Sequence, residues 1–158
     1  DLVRSRGLGD VYKRQVHILN RATNEHYAWQ AFKVEDVPQD QHSELCVLVY
    51  NDKGSYPIII EPFHIRRCCN FYEHGVWESY RAMKLSEAIR IFDNIDQINA
   101  ALYKIGGREF MHNEEVWLME PFDDRRAYVF TGDRANPIKT RDKMSYALRR
   151  YVKIYLKK

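Results

Sequence analysis

"IIIEPFHIRR" at residues 58–67 and "WLMEPFDDRR" at residues 117–126 share the pattern E-P-F-x-x-R-R at an offset of 59 residues. The same offset lays "KLSEAIR" (84–90) on "KMSYALR" (143–149), with Lys, Ser, Ala and Arg identical. Two blocks in register at one offset are the mark of a duplicated unit. Reading one copy then gives the fold.

Each copy opens on a hairpin signal. "ELCVLVYNDKGSYPIIIEPF" (44–63) is two β-rich runs around Asn51-Asp52-Lys53-Gly54, and "REFMHNEEVWLMEPF" (108–122) is its counterpart around His112-Asn113-Glu114. Pro62 and Pro121 lack a ladder donor and hold the preceding Glu extended, so each should end a strand. Phe63 and Phe122 are then expected to anchor the chain in the core. A third strand comes next in "IRRCCNFY" (65–72) and "RRAYVFT" (125–131).

A helix closes the unit. In "LSEAIRIFDNIDQINAALYKIGG" (85–107) Leu85, Ala88, Ile89, Phe92, Ile95, Ile98, Leu102 and Ile105 form a stripe at helical spacing. Ser86 is read as the N-cap and Gly106 as the C′ residue. Ala88 and Ala147 occupy the same place, where a small residue lets a helix approach its sheet. "RATNEHYAWQAF" (21–32) resembles "RAMKLSEAIRIF" (81–92) more weakly and is read as the helix of a truncated first unit. The fold class expected is α+β: tandem repeats of about 59 residues, each a hairpin with a third strand followed by a helix. The units are a remnant at 16–42, one unit at 43–105 and one at 106–158.

The opening "DLVRSRGLGDVYKRQ" (1–15) stands apart. Read back into codons, Asp10 to Gln15 is GAT-GTG-TAT-AAG-AGA-CAG. The segment thus resembles a translated transposase mosaic-end sequencing adaptor, with Ser5–Gly9 from the adjoining adaptor in the same frame. On that resemblance residues 1–15 are not native, and native sequence starts at about Val16 with its true N-terminus missing.

Setting the segment aside changes the charge argument. Removing Arg4, Arg6, Lys13, Arg14, Asp1 and Asp10 takes the 25 basic and 22 acidic residues to 21 and 20. Bulk charge then gives no case for a polyanion partner. The distribution does: residues 125–158 hold eleven Lys or Arg against Asp133 and Asp142, while the preceding body is acidic. No apolar run approaches the roughly 18 residues of a membrane span.

Cys46, Cys68 and Cys69, two of them adjacent, are a poor disulfide framework and are read as reduced cytoplasmic thiols. His64, Cys68, Cys69 and His74 form a metal-like cluster, but adjacent cysteines on a strand point to opposite faces, so no metal is expected. No G-x-S-x-G, H-E-x-x-H, P-loop or dinucleotide glycine fingerprint occurs in the native part, and neither catalysis nor a cofactor is expected.

Two groups of residues remain. Glu61, Arg66, Arg67, Glu120, Arg125 and Arg126 recur with the repeat and are read as Glu–Arg pairs bracing strand corners. An arginine fork for phosphate or carboxylate is the competing reading. "KTRDKMSYALRRYVKIYLKK" (139–158), read as a helix, turns Met144, Ala147, Leu148, Tyr151 and Tyr155 inward. Arg150, Lys153 and Lys157, with Arg149 beside them, then offer a face to nucleic-acid phosphates. "RRYVKIYLKK" (149–158) also alternates with period two, as a strand does. The expected function is a non-catalytic binding protein with an unidentified protein partner; the alternative is nucleic-acid binding through the basic end.

Overall fold

The computed structural model of the chain describes residues 15–50, 56–73 and 80–156. The protein is α+β. Among the described residues the strands form one mixed sheet of nine, with two consecutive α-helices packed on one face. Residues 1–14 lie outside the described residues. Gln15 accepts a hydrogen bond from the Tyr50 N–H (2.7 Å), so the ladder begins one residue before Val16.

The sheet starts with a hairpin where the sequence suggested a helix. Strands β1 (Val16–Asn20) and β2 (Glu25–Ala28) pair antiparallel, with Asn20 opposite Glu25. The turn chemistry of asparagine overrides the weak helical likeness. The Asn20 side chain accepts from the Ala22 N–H (3.0 Å), and Asn24 takes a left-handed φ of 61° that asparagine tolerates. The chain then makes 3-10 turns at Val34–Asp36 and Gln39–Glu44.

β3 (Leu45–Val49) is buried along its whole length, as an apolar run covered on both faces should be. It forms the expected hairpin with β4 (Ile58–Cys68) in the register Val47–Ile60 and Val49–Ile58. Its turn, Asn51–Gly54, lies outside the described residues. Pro62 does not end β4. The strand runs on to Cys68 through an irregularity between Ile60 and Ile65, where proline has no N–H for the neighbouring strand. In this copy the expected third strand is therefore the continuation of the second; in the other, residues 126–131 form a separate strand as expected.

β5 (Arg81–Ala82) leads into α1 (Leu85–Asp93) and α2 (Ile95–Lys104). The sequence predicts one helix, but it breaks at Asn94, which is buried and donates its side-chain amide to the Arg90 carbonyl (3.0 Å). The break rotates the apolar face. Ile91 and Asn94, which fall outside the expected stripe, are buried, while Ile89, which falls within it, is exposed. The N-cap is Lys84 rather than Ser86. The Lys84 N–H donates to Glu87 (2.8 Å), and the Leu85 N–H donates to both oxygens of Glu120 (2.9 and 3.1 Å). Gly106 does end α2, at φ 74°. A Cβ on Gly107 would fall 2.5 Å from the Pro62 side chain, so only glycine lets this loop lie against β4.

β6 (Glu115–Pro121) ends at its proline as expected, and it pairs with β7 (Arg126–Thr131). That hairpin turns at residues 122–125, not at His112–Glu114. Asp123 closes it by accepting the Arg125 and Arg126 N–H groups (2.8 and 2.7 Å). β8 (Ile138–Asp142) is the edge strand beyond β7. The largest departure is β9 (Ala147–Ile154), a strand in place of the repeat's second helix. Its period-two alternation of β-branched and aromatic residues prevails over the local likeness to residues 84–90.

β9 lies inside the sheet, whose order is β2-β1-β3-β4-β9-β6-β7-β8, with β5 also on β9. It runs antiparallel to β4 and β5 and touches β6 in parallel at Val116–Leu148. The sheet thus crosses both expected unit boundaries, and the two copies, alike as irregular strands at E-P-F, part at the K-x-S block, which opens a helix in one and a strand in the other. Neither Phe63 nor Phe122 anchors a core; each sits by an irregular stretch of strand and is more than half exposed. The main core lies between α1–α2 and one sheet face, with Ala88, Ile91, Ile98 and Leu102 against Ile18, Val47, Ile60 and Val152. On the opposite face Leu19, Leu48 and Ile59 form one buried cluster, and Cys68, Trp117 and Val129 another.

Candidate functional site

The residues expected to meet nucleic acid do not form a surface. Arg149 and Arg150 are neighbours on β9, so their side chains leave on opposite faces of the sheet, and each is only 2% exposed. Arg149 donates to the Trp117, Leu118 and Phe71 carbonyls, and its guanidinium lies 5.3 Å from the Phe71 ring. It serves carbonyls around the irregularity in β6. Arg150 donates to the Arg108 carbonyl and stacks 4.1 Å from the Phe110 ring centre. Burial, helped by the charge of Arg108, pulls its pKa down to about 9. Neither has a carboxylate partner among the described residues. Lys153 is half-buried over Tyr80 (5.1 Å), and Lys157 lies outside the described residues.

The corner residues also pair differently from expectation. Glu61, 1% exposed, binds Arg21 of the first turn, which also donates to the Tyr80 hydroxyl. Glu120 caps α1. Arg66 meets Glu73 at 3.2 Å, Arg67 lies 5.4 Å from the Tyr146 ring, and Arg126 donates to Thr140. Among the described residues neither Glu61 nor Glu120 pairs with Arg66, Arg67, Arg125 or Arg126. The signal missing from the sequence is distance: Arg21 is 40 residues from Glu61.

Around Glu61 the sheet face carries polar and aromatic groups. His17 Nδ1 and His26 Nδ1 are 2.9 Å apart, the Tyr50 hydroxyl is 3.3 Å from His26 Nε2, and Tyr155 donates to Asn24 (3.1 Å). Cys46 is buried beneath, and burial pushes its thiol up to about 12 despite Arg21, so it offers no thiolate near neutrality. Of the metal-like cluster, Cys68 is buried, Cys69 exposed, and His64 lies 3.5 Å from Glu61. His74 is outside the described residues. Among the described residues no three His, Cys, Asp or Glu side chains are grouped to hold a metal ion. No described helix is long and apolar enough to cross a membrane.

A cleft of about 440 Å³ lies elsewhere, between the β1–β2 hairpin and the two 3-10 turns. Phe32, buried in the main core, is its floor, with Val37 and Pro38 beside it and Tyr27 and Ala31 on the wall. Lys104 fixes this rim by donating to the Trp29 carbonyl (2.9 Å), and His42 ties the turns together through the Val37 carbonyl (2.9 Å). Asn20 donates to the Gln41 carbonyl oxygen (2.9 Å), leaving the Gln41 amide N–H groups for another acceptor. Glu25, Lys33 and Asp36 add charge at the mouth, and Tyr27 donates to Glu25 (3.1 Å). Sequence reasoning missed this cleft by assigning its walls to one helix. The "RATN" turn between "VHIL" and "EHYA" was the signal available. Comparison with protein-family models matches no family, and comparison with curated proteins finds no match.

Proposed function

We propose that the protein is a non-catalytic binding protein that takes a small amphipathic molecule in the cleft beside the first hairpin. The observation that carries this reading is the pairing of an apolar floor at Phe32 with hydrogen-bonding groups at the mouth. Its volume falls within the range of roughly 300–1,000 Å³ typical of ligand sites. Apolar contact supplies affinity there, and Gln41, Lys33, Glu25 and Asp36 supply orientation. The free thiols of Cys46 and Cys68, both buried, support a reducing, cytoplasmic setting. Nucleic-acid binding through β9 loses its support, because its two arginines are internal.

A thermal-shift screen of small polar aromatic and aliphatic compounds tests the reading. A true ligand at 100 times its Kd should stabilise the protein by about 2.7 kcal/mol. Ala31→Trp, at an exposed wall position, should fill the cleft and abolish that gain without lowering the melting temperature. Equal stabilisation of both proteins, or none of the parent, would remove the cleft as the site.

A further inference from the structure

We propose that the end of the sheet where β4 and β9 meet is a second binding surface, which takes single-stranded nucleic acid. Three turns are tied side by side there: the Phe71 N–H donates to the Lys143 carbonyl (2.7 Å), and the Lys143 N–H to the Arg125 carbonyl (2.9 Å). Two tyrosines stand on these turns with their rings open to solvent, Tyr72 at 58% exposure and Tyr146 at 59%. Each has a cation beside it. Lys143 lies 5.8 Å from the Tyr72 ring centre and Arg67 5.4 Å from that of Tyr146. Exposed rings are costly to leave in water, and interleaved with cations they are the stacking platforms that unpaired bases use.

The charges favour a phosphate chain in the same place. Among the described residues no carboxylate is within ion-pair distance of Arg67 or Arg125, both exposed, while Lys143 is itself buried against the Phe71 and Tyr72 rings. Of the acidic neighbours, Glu73 holds Arg66 and the Cys69 N–H, Asp123 holds the 122–125 turn and Asp142 accepts the Met144 N–H (2.9 Å), while Asp124 stands exposed beside Arg125. Their negative charge persists and keeps the surplus of positive charge small. A duplex, which hides its base faces and binds through phosphate contacts, therefore gains little here. A single strand gains from stacking on two rings.

Fluorescence anisotropy of the full chain with a labelled 12-nucleotide single strand and with the matching duplex, near 50 mM salt, tests this. The single strand should bind at least tenfold more tightly, with a shallow salt slope of about −0.7 to −1.4, one to two phosphates. Tyr146→Ala should weaken it roughly 5- to 150-fold, the range for one lost stack. Arg67→Gln should flatten the salt slope while the melting temperature stays unchanged, since its guanidinium is exposed. Should Tyr146→Ala unfold, Arg67→Gln alone decides. Absent binding, equal affinity for the duplex, or binding indifferent to both substitutions would overturn the proposal, and none of these bears on the cleft.

Discussion

Residues 84–90 and 143–149 share four of seven identities at fixed spacing, yet the first becomes a cap and a helix and the second a turn and a strand. The difference starts at the second variable position. Glu87 places a carboxylate where it accepts the Lys84 N–H, and Glu120 arrives from β6 to take the Leu85 N–H, so a helix can open. Tyr146 stands in the matching place. There Asp142 accepts the Met144 N–H, the Ser145 N–H closes on the Asp142 carbonyl, and the chain turns back into the sheet. The next residues then decide: "IFDNIDQ" has helical spacing, "RYVKIYL" alternates. Identity at four positions does not select a structure when the capping group and the downstream pattern disagree.

The largest effect should come from the ion pair that steadies the helical copy. Glu87 is fully buried, held by both arms of Arg81 (2.7 and 2.8 Å) and by the Tyr56 hydroxyl (2.9 Å). Arg81→Ala strands that carboxylate and should cost about 3–5 kcal/mol in urea unfolding at neutral pH. Burial alone would raise the Glu87 carboxyl, but the Arg81 fork and the Lys84 N–H bring it below its ordinary 4.5. A carboxyl depressed in the folded state stabilises above its unfolded pKa and stops doing so as pH falls through the folded one. The cost of Arg81→Ala should therefore be full above about pH 5 and shrink as pH falls below 4.5. A pH-independent cost would mean the pair is not what secures the helix.

In the strand copy the matching test separates two adjacent arginines. Arg149→Met removes the donor from three carbonyls and should cost about 2–3 kcal/mol. Arg150→Met loses one such bond but also removes a poorly solvated charge, so its cost should stay within about 1 kcal/mol. Arg150 has a depressed pKa, so the folded state carries a penalty below about pH 9 that fades as pH rises further. The parent should thus gain on Arg150→Met above pH 9, as paired denaturation curves would register. Equal costs for the two substitutions would contradict their different surroundings. The smallest effect belongs to Glu120→Gln, which keeps an acceptor at the α1 N-terminus but removes its charge. It should cost about 0.3–1 kcal/mol, less in high salt.

The sequence made the β3–β4 hairpin legible, with the end of β6 at Pro121 and of α2 at Gly106, because each rests on local chemistry. The alternation of β9 is also visible in the sequence, in conflict with the helix that the repeat implies. The break at Asn94 was hidden, since a buried asparagine mid-pattern has no signature until its carbonyl partner is in place. Arg149 looked like a surface charge because its carbonyl partners lie up to 78 residues away. The cleft needed the first turn and the 3-10 turns to fold against each other, an arrangement that no single window of sequence contains.

The position of β9 bears on how the chain reaches its native state. The strand that joins β4 to β6 comes after every other described strand. Until it docks, β4 and β6 each present an open edge of unpaired backbone groups, flanked by apolar residues such as Ile58, Ile60, Trp117 and Leu118. Such edges are templates for pairing with another molecule, and closing them requires contacts that span long stretches of chain. Self-association therefore competes with folding at this one seam, and the competition grows with protein concentration.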